Sequence, residues 1–285
     1  MESVTLNNGV KMPILGYGVY QVTPEECERC VLDAIQTGYR LIDTAQAYYN
    51  EEGVGAAISK CGVPREELFL TTKIWISNAG YEKAKASIDE SLRKLKTDYI
   101  DLMLIHQPIG DYYGTYRAME EAYAAGKLRA IGVSNFYPDR FVDLSNFVKV
   151  QPAVNQVETH PFQQQKLARK YMEKYGTQIE SWGPFAEGRK EIFHNPTIQA
   201  MGEKYGKTVA QTILRFLIQS GIVVIPKSTH KERMAENFNV FDFALSEEDM
   251  HTMQALDEGE SAFFSHYDPE TVEFLVSFGK SIGGF

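Results

Sequence analysis

Eight short apolar runs of β type, each followed by a stretch with helical spacing, constrain this chain more than any other feature. The runs fall at residues 15–18, 40–43, 68–73, 100–106, 128–134, 154–157, 178–182 and 222–225. Between them lie amphipathic stretches such as 82–95, with Ala86, Ile88, Leu92 and Leu95 near helical spacing, and 209–218. Eight β-then-α units imply a parallel sheet, and right-handed crossovers either close it into a barrel or spread it into a doubly wound sheet. Ahead of the first run, Asn8-Gly9 between Val4-Thr5-Leu6 and Val10-Lys11-Met12 has the turn dipeptide of a hairpin.

The two closures of the sheet differ in their signatures. A doubly wound dinucleotide fold places G-x-G-x-x-G directly after its first strand. The nearest segment here, Gly53-Val54-Gly55-Ala56-Ala57-Ile58, follows a helix-leaning stretch and lacks the third glycine. Its glycines are expected to serve helix packing. The expected fold is therefore a (β/α)8 TIM barrel with an N-terminal hairpin and an extra C-terminal helix and tail, all in one domain spanning 1–285. A barrel takes about 250 residues, so a chain of 285 is nearly consumed by it.

A formal net charge of -9 opposes contact with nucleic acid backbones and anionic membrane surfaces. No run approaches the length of a membrane span, and Met1-Glu2-Ser3-Val4 lacks the basic and apolar regions of a signal peptide. The expectation is a cytoplasmic protein, and a monomer because nothing in the sequence marks an interface. Cys27, Cys30 and Cys61 are too few and too uneven for a disulfide framework. Cys27-Glu28-Arg29-Cys30 matches C-x-x-C, but Thr23-Pro24-Glu25-Glu26 before it reads as a capping box with proline at the first helical position. Both thiols then sit inside a helix, and no metal is expected.

In a barrel the C-terminal ends of the strands share one face, where active sites sit. Asp43, Lys73 and His106 end the second, third and fourth runs, and Tyr48 follows Asp43 in the second loop. Alone, each has an ordinary structural reading; together they are four chemically capable groups in one place. A tyrosine ionises near 10 and works better as a general acid when that value falls. Lys73 supplies the cation to lower it, Asp43 keeps the ammonium charged, and a neutral His106 orients a substrate oxygen. Such a site protonates a nascent alkoxide but holds no reductant, which implies a nicotinamide cofactor. Two other readings remain open: a Schiff-base aldolase built on Lys73, and a non-catalytic binding protein or redox sensor that keeps the cofactor site.

At these residues the chain resembles the aldo-keto reductase family. The segments that carry the resemblance are Gly38-Tyr39-Arg40-Leu41-Ile42-Asp43-Thr44-Ala45 with Tyr48 and Asn50-Glu51, then Thr72-Lys73, Leu104-Ile105-His106 and Ile131-Gly132-Val133-Ser134-Asn135-Phe136. Asn155-Gln156-Val157-Glu158 with His160-Pro161, and Ile225-Pro226-Lys227-Ser228, complete them. They run in family order, and the bacterial branch of 2,5-diketo-D-gluconic acid reductases is the most similar. The resemblance implies NADPH as cofactor, small aldehydes, ketones or dicarbonyls as substrates, and a tetrad of Asp43, Tyr48, Lys73 and His106.

It further implies that Ser134, Asn135 and Gln156 hold the nicotinamide carboxamide while Trp182 stacks on its ring. Gly18, Val19, Asp43, Gly183 and Phe185 line the same cofactor. Lys227, Ser228, Thr229 and Arg233 take the adenosine 2′-phosphate, and Glu236 and Asn237 the adenine. Independently of the family, a basic segment just after the last strand is where barrels often bind phosphate. Tyr20, Trp75 and Gln107 join Tyr48 and His106 around the substrate. Three positions depart from the pattern: Gln107 replaces the usual tryptophan, Tyr20 stands where tryptophan or phenylalanine is common, and Gly183 replaces serine. Phe263, Phe264, His266 and Tyr267 in the tail read equally as lid residues or as packing.

Overall fold

The structure, a computed structural model, describes residues 2–283, and side chains through residue 279. Met1 and residues 284–285, the outermost part of the expected 1–285 unit, lie outside the described residues. The chain opens with an antiparallel hairpin, β1 (Ser3–Thr5) and β2 (Lys11–Pro13), around Asn8-Gly9. Eight parallel strands follow: β3 (Gly16–Gly18), β4 (Leu41–Asp43), β5 (Phe69–Ile74), β6 (Leu102–Ile105), β7 (Ile131–Ser134), β8 (Val154–Glu158), β9 (Gln178–Trp182) and β10 (Val223–Val224). They pair in sequence order. The first and last meet through a parallel bridge between Leu15 and Val224 and a hydrogen bond from Gly18 N to Pro226 O at 3.2 Å, which closes the barrel.

The outer layer consists of α1 (Pro24–Thr37), α2 (Glu51–Lys60), α3 (Tyr81–Leu95), α4 (Tyr112–Ala124), α5 (Pro138–Phe147), α6 (Lys166–Tyr175), α7 (Pro196–Tyr205), α8 (Val209–Gln219), α9 (Lys231–Phe238) and α10 (Glu247–Gln254). The expected C-terminal helix is α11 (Pro269–Gly283). Among the described residues no helix is long and apolar enough to cross a membrane. Gly53 and Gly55 lie in α2 and serve packing: a Cβ on Gly55 would come within 2.3 Å of Lys94 O. Cys27 and Cys30 are buried in α1, where burial pushes the Cys27 thiol up to about 12 and removes the thiolate that redox or metal chemistry needs. Only half of the expected capping box forms. Thr23 Oγ1 accepts from Glu26 N at 3.4 Å, but the Glu26 carboxylate pairs with Arg29 at 3.2 Å instead of returning to the cap.

Alternation along the strands sorts residues between two cores. Leu41, Phe69, Leu102, Leu104, Val154, Val223 and Ile225 fill the barrel interior, and Leu6 and Met12 of the hairpin plug it from below. The intervening Ile42, Leu70, Met103, Ile131, Val157 and Ile179 face the helices. Continuing the inward parity upward gives Asp43 two residues after Leu41, Lys73 four after Phe69, His106 two after Leu104 and Gln156 two after Val154. The catalytic candidates are thus the top layer of the barrel filling.

At the opposite end the buried Asp101 accepts from Arg65 and Arg129 at 2.7 Å each and from Leu70 N at 2.9 Å. Asp101→Asn leaves two guanidinium groups facing each other without their shared anion. We expect a loss of about 3 kcal/mol, read as a lower denaturant midpoint; a midpoint equal to wild type would show that the cluster does not stabilise the barrel.

Candidate active site

The second loop is held by hydrogen bonds within the chain. After β4 the chain makes a 3-10 turn, Gln46–Tyr48, and Tyr49 takes a left-handed φ of 55°. The Gln46 amide clamps this turn to the end of β5 and to α3: its Oε1 accepts from Trp75 N at 3.0 Å and Asn78 Nδ2 at 2.8 Å, and its Nε2 donates to Ser91 Oγ at 3.1 Å. The buried Asn50 donates to Val19 O at 2.9 Å and Val22 O at 3.0 Å and accepts from Thr44 Oγ1 at 2.7 Å. Tyr48 therefore projects from a loop pinned on both sides.

The Lys73 ammonium lies 2.5 Å from Asp43 Oδ1, 3.0 Å from Thr44 O and 3.5 Å from the Tyr48 hydroxyl. Burial works against its charge, but Asp43 and Tyr48 outweigh that and raise the lysine above its ordinary value. Burial likewise pushes the Asp43 carboxyl up, and Lys73 pulls it back. The Tyr48 ring is half-exposed while its hydroxyl is enclosed, and here the structure corrects the expectation of a lowered phenol. Burial lifts Tyr48 to about 12, and the downward pull of Lys73 only limits the rise. At neutral pH the phenol is fully protonated, the state a proton donor needs.

His106 follows β6, its ring edge-on to Tyr48 at 5.6 Å and to Trp75 at 4.9 Å. Burial, reinforced by Lys73, holds it well below its ordinary value, so it is neutral as expected. Tyr20 is exposed and tilts against Tyr48 at 5.1 Å. Trp75 is buried beneath α11, in a cluster with Ile76 and Leu275. Gln107 is not an isolated wall residue: its side chain meets His266 Nε2 at 2.6 Å. Burial lowers His266 to about 4, so its neutral ring donates to Gln107 Oε1.

The tail aromatics gather at this mouth. Phe263 and Phe264 lie against Trp182 with ring centres 5.1 and 6.3 Å away, and Tyr267 packs on Tyr137 at 4.8 Å. Glu158, buried at the end of β8, anchors them by accepting from Ser261 Oγ at 2.5 Å and Ala262 N at 2.7 Å, with His160 at 2.8 Å behind it. Gly183 has a φ of 63°, a conformation that the serine it replaces would hold under strain.

The residues matched to cofactor contacts divide into committed and uncommitted groups. Asn135 is committed: its Oδ1 accepts from Trp182 Nε1 at 2.8 Å and its Nδ2 donates to His106 O at 3.1 Å. Ser134 Oγ donates to Gln156 O at 2.9 Å. Gln156 Nε2 donates to Asp43 Oδ2 and to Glu180 Oε2, both at 2.9 Å, which leaves its carbonyl oxygen to receive a donor. Glu236 accepts from Thr208 Oγ1 at 2.7 Å, and Asn237 is buried in α9. Val19 is buried and donates its N–H to Asp43 O at 3.0 Å, while Gly18 seals the barrel seam and Phe185 packs on Phe193. Lys227 and Arg233 are exposed, and no ion pair among the described residues engages either. Beside them Ser228 Oγ accepts from His230 N at 3.1 Å and Thr229 is half-buried. An uncommitted amide carbonyl, a half-exposed indole and two free cations are a donor set that suits a phosphorylated nicotinamide nucleotide.

Two further groups hold the site without a signal at a strand end. Gln46 reads in sequence as an ordinary loop residue, and Glu180 as one polar residue inside a strand, where only its inward parity with Trp182 marks it.

The C-terminal mouth of the barrel thus gathers a protonated phenol, a lysine–aspartate pair and a neutral imidazole, groups capable of acid–base chemistry. Residues 14–258 match the model of the Aldo/keto reductase family, and the chain belongs to that family. The glyoxal reductase of Bacillus subtilis is 47% identical over 261 residues, covering 91% of this chain and 94% of that one. The methylglyoxal reductase DkgA of Escherichia coli is 42% identical over 259 residues, covering 90% and 94%. The aldo-keto reductase of Bombyx mori in complex with NADP superimposes with a TM-score of 0.87 at 34% identity, covering 92% and 95%. Aldo-keto reductases are oxidoreductases that use NADP(H), and this chain is one of them.

Proposed function

We propose that the chain reduces small aldehydes, ketones or dicarbonyls with NADPH, with Tyr48 as the proton donor. The observation that carries the reading is the charged pair of Lys73 and Asp43 at 2.5 Å, with the Tyr48 hydroxyl 3.5 Å from the same ammonium. Glyoxal and methylglyoxal head the candidate substrates because two bacterial relatives are named for them. Buried free thiols accord with a reducing cytoplasm.

Bound NADPH would supply the reducing equivalent, and the protein's residues do the rest. The Gln156 carbonyl would accept from the nicotinamide carboxamide, and the Trp182 face would receive the ring. Lys227 and Arg233, with Ser228 and Thr229, would hold the 2′-phosphate. His106 donates to the substrate carbonyl from its uncharged ring and turns that oxygen toward Tyr48. The phenol then releases its proton onto the oxygen as negative charge develops there, and Lys73 stabilises the phenolate left behind. Asp43 keeps Lys73 charged, which disfavours a lysine nucleophile and hence the aldolase reading.

The phosphate assignment has its own test. A hydrogen bond to a charged group contributes about 1.5 to 3 kcal/mol, so Arg233→Ala should weaken NADPH by about one to two decades. NADH, which has no phosphate at that position, should bind as before. Equal weakening of both in a fluorescence titration would assign Arg233 to the adenine site or to the fold.

A further inference from the structure

The inner face of the site carries one ionisable residue more than the proposed reaction uses. Glu180 sits in the middle of β9, fully buried. Its Oε2 accepts from Gln156 Nε2 at 2.9 Å, and the same nitrogen donates to Asp43 Oδ2 at 2.9 Å. Its Oε1 has no hydrogen-bond partner. Two carboxyl groups thus share one amide nitrogen, and the cation between them is already spent: Lys73 turns to Asp43, Thr44 O and Tyr48. A buried carboxylate with a bare oxygen and no cation of its own is strongly disfavoured, whereas the uncharged acid is tolerated.

We propose that Glu180 is a positioning residue, held as the neutral acid in the working enzyme, that turns both N–H groups of Gln156 inward and leaves the Gln156 carbonyl alone to meet the nicotinamide carboxamide. The inference rests on the cofactor reading above. An amide has two N–H donors and one carbonyl. With Asp43 and Glu180 taking one donor each, the amide has a single orientation, and its acceptor faces the cofactor. Removing the Glu180 acceptor frees one N–H and permits the flipped amide, which would present a donor to a donor.

The neutral form has a limit. Burial, and after it the charge of Asp43, raise the Glu180 carboxyl to about 8, with Gln156 and Lys73 pulling the other way. The groups facing it are Asp43 from β4, Lys73 from β5 and Gln156 from β8, while β10 places the apolar Val223 opposite it. Above that pH a second anion lies beside Asp43, and repulsion between the two carboxylates works against holding both on one amide nitrogen.

The first readout needs no cofactor. Infrared difference spectra of wild type against E180Q report the C=O stretch of a protonated carboxyl, expected in unliganded wild type at neutral pH and titrating away near pH 8. The second is NADPH titration across the same range. The wild-type Kd should rise through that transition, while E180Q, whose side chain has no proton to lose, should follow a flat profile. E180V, which offers no acceptor, should bind NADPH about tenfold more weakly than E180Q. No carboxyl band at neutral pH, or an alkaline rise of Kd in E180Q equal to that of wild type, overturns the proposal. Wild-type protein that shows the band yet binds no NADPH overturns the cofactor reading and with it the positioning role, and leaves only the protonation state standing.

Discussion

Tyr48→Phe is expected to lower kcat by about 10²- to 10⁴-fold while NADPH binding persists. The substitution deletes one hydroxyl and keeps the ring, whose contacts to Tyr20 at 5.1 Å and His106 at 5.6 Å do not involve that oxygen. The groups proposed to hold the nicotinamide and the 2′-phosphate lie on β8, β9, α9 and the segment before α9, away from the loop that carries Tyr48. Because burial holds the phenol near 12, wild-type Tyr48 remains the protonated donor throughout the neutral range. Single-turnover measurement isolates the chemical step. A variant that keeps more than about a tenth of the wild-type rate would remove Tyr48 from the role of acid.

Lys73→Met should be as damaging to turnover and, unlike Tyr48→Phe, should also destabilise the fold. Lys73 is the group that pulls the phenol down, so without it Tyr48 rises further and yields its proton less readily. Its loss also leaves Asp43, buried at the end of β4, without its 2.5 Å partner. Removing one member of a buried pair costs about 3 to 5 kcal/mol. The sign of the pH dependence follows from burial. An unpaired Asp43 carries a folded-state pKa above its unfolded value of about 3.9, so stability is retained below that value and lost as pH rises through the folded pKa. The melting-temperature deficit of Lys73→Met should therefore be small near pH 5 and larger near pH 8. A deficit independent of pH would mean that Asp43 is not the group left exposed to the loss.

The barrel was legible because its signal is periodic and repeated eight times, and the hairpin because Asn8-Gly9 is a local turn. Bounds shifted where pairing, not apolar character, decides. The run at 128–134 contributes only Ile131–Ser134 to the sheet, since Leu128 makes a single bridge to Ile100 and Arg129 turns to Asp101. The positions of Asp43, Lys73 and His106 were legible because strand order alone brings their ends together. What stayed hidden depends on distance in sequence or on burial. The hydrogen bond between Gln107 and His266 spans 159 residues, and no local pattern announces it. The direction of the Tyr48 shift depends on whether burial or Lys73 dominates, and that balance is set only when the loop closes over the hydroxyl. Glu180 was hidden for a different reason: in sequence it reads as one polar residue inside a strand, and only the barrel interior reveals that it faces Asp43 across Gln156.

Isotope transfer follows the reducing equivalent from NADPH to the carbonyl carbon. With NADPH deuterated at the transferable position of the nicotinamide and methylglyoxal as substrate, one deuterium is expected on the new carbinol carbon for each NADPH consumed. A bound but unconsumed cofactor, or a product alcohol without the label, would contradict that transfer.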